Sequence, residues 1–453
     1  MADTARHIRA AHQLRILSDA LDSGRLGPVR RLVNTLSPAE IGNLLESLPP
    51  TRRNVVWGLV DPEDDGEVLL HVGEDVRESL LAEMDPDEIV AALEDLDIDD
   101  LAELMDDLPE AVTAEVLRSM DRENRERLEQ ALSYPEDTAG RLMNPDVVTV
   151  RADATVEVVL RYLRLRGELP ENTDRLYVAN RRHQYLGQVA LSDLLTREPS
   201  TPINTLIDDA QPAIPVHTPA NEVANRFSDH DWISAPVVDE NNVLLGRITI
   251  DDVVDIIRDQ AEHRALGAAG LDEDEDLFAS PLRAMRRRSL WLGINLALAF
   301  VVASIIGLFE ATLEQVVALA VLMPIVASMG GNAGLQAMTL TVRGLALGQL
   351  GSSNVRPLMV KEITVGVLNG LLWAVVVAAA AGLWFGSPML ALAIAAAMTI
   401  NLVFAAAAGV GIPLLLRRMN IDPAIAGSIV VTLFTDAIGF FAFLSMGTLL
   451  LVP

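Results

Sequence analysis

The sequence predicts a multidomain membrane protein in which an acidic N-terminal half precedes a domain of five membrane helices. Half of the 453 residues are apolar, although the formal net charge is −28. Residues 283–453 carry nine basic and five acidic side chains, a net charge of +4, which leaves −32 for residues 1–282. The acidic half contains two internal repeats, and the other half contains five apolar segments of about 20 residues.

The composition excludes several classes of site and partner. The chain has no cysteine, which rules out disulfides, zinc–thiolate sites, iron–sulfur clusters and thiol catalysis. An acidic half disfavours nucleic acid and anionic membrane surfaces as partners, since both are polyanions, and makes cations its natural counterpart. The alternative is that these acids only keep the protein soluble. The first residues lack a continuous apolar stretch, so we predict no signal peptide and a cytosolic acidic half.

A helical repeat with a spacing of 48 residues lies near the N-terminus. SPAEIGNLLESLPP (37–50) resembles DPDEIVAALEDLDI (85–98). Both begin with a Ser-Pro or Asp-Pro pair, which is typical of a helix start, and continue with apolar residues at helical spacing. We therefore predict an α-helical, superhelical N domain over residues 1–138.

A second duplication, with a spacing of 59 residues, follows over residues 139–260. LGQVALSDLL (186–195) matches LGRITIDDVV (245–254), and each unit reads as a strand pair followed by a helix. This order resembles a tandem pair of CBS domains, at about 139–200 and 201–260. Thr249 and Asp252 match the ribose-contacting stretch of nucleotide-binding CBS pairs. The resemblance implies a site for ATP or another adenine nucleotide, although many CBS pairs bind no ligand.

The basic residues around the apolar segments predict the membrane topology. Loops with Arg or Lys alternate with neutral or acidic loops, so the positive-inside rule places the N-terminus in the cytosol and the C-terminus outside a plasma (bacterial inner) membrane. We expect a connecting, plug-like helix and linker over 261–287 and a five-helix transmembrane domain over 288–453. The five segments are about 289–309, 315–342, 360–385, 389–416 and 425–451.

The second apolar segment is interrupted by MPIVASMGGNAGLQAMT (323–339), with a proline, three glycines, Asn332 and Gln336. Loosened backbone at membrane depth is tolerated where protein buries it or where it lines a wet cavity. Small residues also allow close helix packing, which accounts for the glycines but not for the two amides.

Asp436 lies in the last segment, in VVTLFTDAIGFF (430–441), with no base beside it. A carboxylate at mid-membrane costs about 2.5–3.5 kcal/mol and indicates a functional site. It is either protonated or accompanied by a cation and water; a neutral Asp bonded to a neighbouring helix is the structural alternative. One or two carboxylates with retained water suit Mg²⁺, and a symmetric dimer would bring two together.

The order of these domains resembles the MgtE family of magnesium channels over essentially the whole chain. GGNAGLQAMTLTVRGLA (330–346) and NIDPAIAGSIVVTLFTDAIGFF (420–441) are the most specific stretches. The resemblance implies a homodimer in a lipid bilayer, with the pore on its two-fold axis and Mg²⁺ as both substrate and regulator. It also implies pore roles for four residues: Asp436 as the acid that holds hydrated Mg²⁺, with Asn332, Thr432 and Asp422.

The same resemblance implies a cytosolic magnesium sensor that closes the pore when its acids are neutralised. The matching acids are Glu67, Asp99, Glu103, Asp231, Asp251, Asp252 and Asp255. Two positions depart from the family: QAEHR (260–264) replaces an acidic EATED-type tract, and Asn221 is neutral. We expect magnesium closure to be weaker here, or to use the acidic run 272–276 instead.

The leading hypothesis is a magnesium-selective channel for Mg²⁺ uptake, gated by cytosolic Mg²⁺. The absence of GxxxxGK[ST] and DKTG motifs argues against a primary pump. A proton-coupled secondary transporter of Mg²⁺ or Co²⁺ is the alternative, and a membrane-tethered CBS sensor is less favoured. An enzyme is least favoured, since no His/Asp/Ser constellation is present.

Overall fold

The computed structural model describes residues 17, 19–21, 23, 26–94, 96–267, 269, 271, 275–351 and 353–452. The chain forms two compact units. One comprises Met1–Gln260 with Asp274–Ala279, and the other comprises Ala261–Glu273 with Ser280–Pro453.

Short helices build the N domain, and their starts follow from capping residues. Ser37 accepts a hydrogen bond from the Glu40 amide at 3.3 Å, and the Glu40 carboxylate accepts one from the Ser37 amide at 3.0 Å. One repeat later, the Glu88 carboxylate accepts from the Asp85 amide at 3.0 Å. The helices are α1 Leu26–Val33, α2 Pro38–Glu46, α3 Pro50–Trp57, α4 Asp65–Leu70, α5 Glu74–Leu81, α6 Pro86–Leu93, α7 Ile98–Met105, α8 Glu110–Ser119 and α9 Arg122–Leu132.

These helices stack progressively along the domain. Helix α2 packs on α4, α4 on α6, and α6 on α8. Leu45 of α2, Leu69 of α4 and Leu93 of α6 are each at most 1% exposed and belong to a single apolar core. The predicted helical N domain is thus confirmed, and its 48-residue repeat appears as α2 and α6.

The duplicated region forms two three-stranded sheets of the same topology. In each, the first strand pairs in parallel with the second, which pairs antiparallel with the third. The register shift after Val178 recurs after Val237, which reproduces the 59-residue spacing. The elements are α10 Ala139–Leu142, β1 Thr149–Val150, α11 Val156–Arg166, β2 Arg175–Ala179, β3 Tyr185–Ala190, α12 Leu191–Thr196, β4 Ile214–Pro215, α13 Ala220–His230, β5 Ser234–Val238, β6 Leu244–Thr249 and α14 Ile250–Gly267.

The described C-terminal region contains five helices long and apolar enough to cross a membrane. Helix α19 packs against α17, α18 and α20, whereas α15 packs mainly on α20. These helices and one short connector are α15 Pro281–Gly307, α16 Glu310–Gln315, α17 Val317–Ala346, α18 Val355–Phe385, α19 Pro388–Arg418 and α20 Pro423–Leu451.

Candidate functional site

Helices α17 and α20 pack antiparallel through glycines. A Cβ atom added at Gly334 would lie 2.7 Å from Val431 Cγ1, and one at Gly427 would lie 2.6 Å from Met338 Cε. Toward the other end of the pair, a Cβ at Gly447 would meet Leu319 Cδ1 at 2.7 Å. Side chains would force these backbones apart, so the glycines set the helix spacing.

This packing brings Asn332 and Asp436 to similar depths. Asn332 precedes the end of α17 at Ala346 by 14 residues, and Asp436 follows the start of α20 at Pro423 by 13. At a rise of 1.5 Å per residue, they lie about 21 and about 20 Å from the same end of the helix pair. Two polar side chains predicted separately from sequence are therefore level with each other.

The three mid-helix pore candidates are accessible on the single chain. Asn332 and Thr432 are exposed and Asp436 is half-buried. Thr432 lies one turn before Asp436, and its hydroxyl donates to the Ser428 carbonyl at 2.8 Å. Within the part of the chain that the structure describes, no hydrogen bond or ion pair reaches Asp436. The interhelical hydrogen bond offered as the alternative for this carboxyl is thus absent from these residues.

The expected loosening of the second apolar segment is wrong. Helix α17 runs continuously from Val317 to Ala346, with Pro324 inside it. The glycines serve close packing instead: a Cβ at Gly330 would lie 2.2 Å from Asn401 Nδ2, and one at Gly439 would lie 2.6 Å from the same atom.

Asn401 on α19 is a polar residue that sequence reasoning missed. It is fully buried between α17 and α20, and its amide donates to the Val326 carbonyl at 2.9 Å. Its Oδ1 atom has no hydrogen-bond partner in the described structure. A lone Asn in an otherwise apolar membrane segment was the available signal.

A second membrane carboxylate, Glu362 on α18, is compensated. Its side chain is buried and pairs with Lys361 Nζ at 2.5 Å. It lines a cavity of about 150 Å³ with Gln336, Asn369 and apolar residues of α17, α18 and α19. Glu362 thus has the internal counter-ion that Asp436 lacks.

Asp422 caps the start of α20, where it accepts a hydrogen bond from the Ala424 amide at 2.6 Å. His263 Nε2 lies 3.0 Å from Asp422 Oδ2. A Cβ at Gly267, at the end of α14, would lie 3.2 Å from Ile425 Cγ1. The residue that replaces an acid of the EATED-type tract therefore contacts a predicted pore-mouth residue directly.

The centre of the predicted sensor is a cluster of Asp99 and Asp100 on α7 with Asp252 on α14. Burial, followed by the charge of Asp252, raises the pKa of Asp99 well above its ordinary value. Burial and neighbouring acids raise the pKa of Asp100 to about 7 and that of Asp252 to about 7. The Asp99 Oδ1 atom is buried without a hydrogen-bond partner in the described structure.

The other predicted sensor acids differ in their surroundings. Glu103 accepts a hydrogen bond from Arg77 at 3.0 Å, and Asp251 accepts one from Asn172 at 2.8 Å. Burial raises the pKa of Asp255, and the charge of exposed Glu67 contributes to the raised pKa of Asp100. Asp100 itself was not singled out from the sequence, although it adjoins Asp99.

Asp231 does not join this cluster. It is exposed at the end of α13 with a left-handed backbone, φ +53°. It is not among the acids whose charges raise the pKa of Asp99, Asp100 or Asp252.

The described residues contain no group of three His, Cys, Asp or Glu side chains arranged to hold a metal ion. The two residues predicted to bind a nucleotide, Thr249 and Asp252, are hydrogen-bonded to each other. Asp252 Oδ2 accepts a hydrogen bond from the Thr249 amide at 3.3 Å and another from the Thr249 hydroxyl at 3.2 Å. Asp252 therefore caps the start of α14 and also faces the acids of α7.

Three family models match successive parts of the chain. The MgtE intracellular N domain matches residues 36–137, the CBS domain matches 139–200 and 206–259, and the MgtE divalent cation transporter domain matches 323–446. The magnesium transporter MgtE of Thermus thermophilus is 32% identical over 96% of this chain and 98% of its own. The chain belongs to the MgtE family of magnesium transporters.

A second MgtE relative, from Bacillus subtilis, is 29% identical over 94% of this chain and 95% of its own. A crystal structure of the cytosolic domain of the Mg²⁺ channel MgtE in complex with ATP is 31% identical. It covers 53% of this chain and 98% of its own, with a TM-score of 0.49. The resemblance to MgtE and the order of helical domain, CBS pair and membrane helices are confirmed.

Proposed function

We propose that the chain conducts Mg²⁺ inward through a pore in which Asp436 holds the hydrated ion. The observation that carries this proposal is the level position of Asp436 and Asn332 on packed helices, with no internal partner for the carboxylate in the described structure. Thr432 extends the polar face by one turn. A carboxylate with amide and hydroxyl oxygens suits a hard cation that keeps most of its water.

The pore is shared with a second copy of the chain in this proposal. Asn332 and Thr432 are exposed on one chain although they are polar and lie within membrane-length helices. Lipid is an unfavourable neighbour for such groups, so a symmetric partner and a water-filled path are the better surroundings. A homodimer would place two Asp436 carboxylates around one ion.

The orientation and location also belong to this proposal. Arg and Lys flank alternate ends of the five helices, so the sensor half faces the cytosol and the C-terminus lies outside the plasma membrane. Asp422 then lies at the cytosolic mouth of the pore.

Cytosolic Mg²⁺ acts as the closing signal by neutralising the acids between α7 and α14. Burial is the main cause of the raised pKa values of Asp99, Asp100 and Asp252, and repulsion from neighbouring acids adds to it when these groups ionise. A divalent cation would remove the repulsion and hold the N domain against the CBS pair. Glu67, Asp251 and Asp255 add charge at the edge of the cluster, and Glu103 contributes only if it leaves Arg77.

The CBS pair would bind ATP or another adenine nucleotide through Thr249 and Asp252. Thr249 is buried, and Asp252 already accepts two hydrogen bonds from it. A ribose hydroxyl would therefore have to share or replace the contact between Asp252 and Thr249.

The test of the pore is Mg²⁺ flux into liposomes and growth of a magnesium-transport-deficient strain. We expect Asp436→Asn and Asp436→Ala to reduce flux at least about tenfold, because the ion loses its charged ligand. Glu314→Gln removes an exposed acid of the short helix α16, outside the five membrane-length helices, and is the matched control. Full rescue by both Asp436 variants would contradict the pore assignment. Wild-type current that vanishes without a pH gradient would favour proton-coupled transport.

A further inference from the structure

The N domain contains a buried arginine that binds the linker leading to the first membrane helix. Arg53 on α3 is fully buried. Its guanidinium donates to the Leu45 carbonyl at 2.9 Å and to the Leu48 carbonyl at 3.1 Å. It also makes a two-pronged contact with the carboxylate of Asp276, at 2.9 Å for each oxygen. Such paired bonds between Arg and a carboxylate are strong and geometrically specific.

The linker segment 275–279, which we call the strap, is held to the N domain at Asp276, through both its side chain and its backbone. The side chain of Asp276 is 7% exposed, and its backbone amide donates to Asp75 at 3.2 Å. The Phe278 amide donates to the same Asp276 carboxylate at 2.9 Å. The contact is therefore an ordered turn around one carboxylate rather than a loose surface ion pair.

General electrostatic attraction does not explain this docking. Residues 36–137 contain 30 acidic and seven basic side chains, and the strap follows directly from an acidic run, 272–276. Two acidic segments repel, so one specific pocket has to overcome that repulsion. The part of the run outside the described residues is 272–274. The expectation that the run 272–276 supplies spare magnesium ligands stays a prediction, and both carboxylate oxygens of Asp276 accept hydrogen bonds from Arg53.

The strap is close in sequence to a membrane helix. Asp276 lies five residues before Pro281, where α15 begins. Five residues span at most about 18 Å even when fully extended. A displacement of the N domain larger than the slack of this short segment must therefore pull on α15 or break the contact between Arg53 and Asp276.

We propose that the strap is a second mechanical link from the sensor to the membrane domain, in addition to helix α14. The contact between Arg53 and Asp276 attaches the strap to the N domain and so completes this link. The inference rests on the magnesium gating proposed above. When magnesium fixes the N domain, the strap restricts the movement of the first residues of α15. Without the strap, closure depends on α14 alone and requires more magnesium.

The test uses the full chain in nanodiscs or liposomes and two measurements. Hydrogen exchange of residues 275–280 reports the contact, and magnesium-dependent closure of the current reports the coupling. We expect Asp276→Asn to speed exchange about tenfold or more, because a hydrogen-bonded ion pair is lost. It should also raise the magnesium concentration for half-closure about fivefold or more. Glu129→Gln, which removes an exposed acid of α9, should change neither.

Arg53 variants separate the strap from a role of Asp276 as a magnesium ligand. Arg53→Lys keeps the charge but loses the two-pronged geometry, and should also shift half-closure to higher magnesium. If Asp276 were a ligand, weakening its tie to Arg53 would shift half-closure to lower magnesium and overturn the inference. Unchanged exchange in Asp276→Asn, or faster exchange with unchanged closure, would also overturn it. A wild type that never closes with magnesium would instead overturn the proposed gating and the strap together.

Discussion

Neutralising one acid of the α7–α14 cluster should stabilise the unit that contains the N domain and the CBS pair, whereas most substitutions of buried polar residues destabilise a protein. Asp252→Asn is the informative change because the carboxamide oxygen can still accept the hydrogen bonds of Thr249. Burial, with the charges of Asp251 and Asp100, raises the pKa of Asp252 from 3.8 to about 7. A shift of about three units corresponds to about 4 kcal/mol that the folded state loses when this group ionises.

The sign of the pH dependence follows from that shift. The pKa of Asp252 is higher in the folded state than in the unfolded state. Its contribution to the free energy of unfolding of the wild type is therefore fully present below about pH 4 and is lost as the pH rises through about 7. The Asn variant does not titrate, so its advantage should be largest above pH 7 and shrink toward pH 5. Burying the carboxamide also has a cost, and we expect a net gain of about 2 kcal/mol at pH 8.

Hydrogen exchange of the α7 amides in the full chain without magnesium measures this gain directly. A gain of 2 kcal/mol slows exchange about 30-fold when the opening of α7 limits it. Magnesium should slow exchange in the wild type and have less effect in Asp252→Asn. Asp252→Ala, which cannot cap α14, and Glu129→Gln serve as controls. Exchange in Asp252→Asn that is as fast as in the wild type at pH 8 would refute the proposal that charge repulsion loosens this cluster.

Two further substitutions test the membrane unit. Gly334→Val should cost roughly 1–3 kcal/mol and abolish transport, because its Cβ would lie 2.7 Å from Val431 Cγ1; thermal unfolding and flux measure both effects. A Cβ at Gly331 would meet no atom within 4 Å, so Gly331→Ala should have the same unfolding temperature as the wild type. An equal loss of stability in Gly334→Val and Gly331→Ala would contradict the packing argument. His263→Phe should speed amide exchange in 261–267 a few-fold, since the bond to Asp422 is lost, whereas the exposed Ala265→Gln should not.

Local patterns in the sequence predicted much of this fold. The Ser-Pro and Asp-Pro starts at Pro38 and Pro86 identified equivalent helices because proline and capping side chains act within one turn. The 59-residue duplication likewise predicted strand pairs that the two sheets reproduce. Asp436 stood out because a charge in an apolar run is rare whatever the tertiary structure.

The features that escaped prediction depend on contacts between distant residues. Arg53 and Asp276 are 223 positions apart, and neither is unusual in a chain rich in charge. Asn401 is visible in the sequence as an amide in an apolar segment, but its place between two helices depends on the space that Gly330 and Gly439 leave. The same glycines suggested a broken helix in sequence, because glycine both loosens a helix and allows another helix to approach, and only packing decides between these effects.

The glycine contacts among α17, α19 and α20 restrict how the proposed pore beside them could open. A Cβ at Gly409 would lie 2.5 Å from the Gly334 carbonyl, and Asn401 fills the space between Gly330 and Gly439. Helices in such intimate contact have no slack for sliding or rotating past one another without clashes. Within one chain these three helices must move as a rigid block. In the homodimer proposed above, the ion path would then widen at the boundary between the two subunits. There, a small tilt of each subunit would change the distance between the two Asp436 carboxylates by twice the shift of either one.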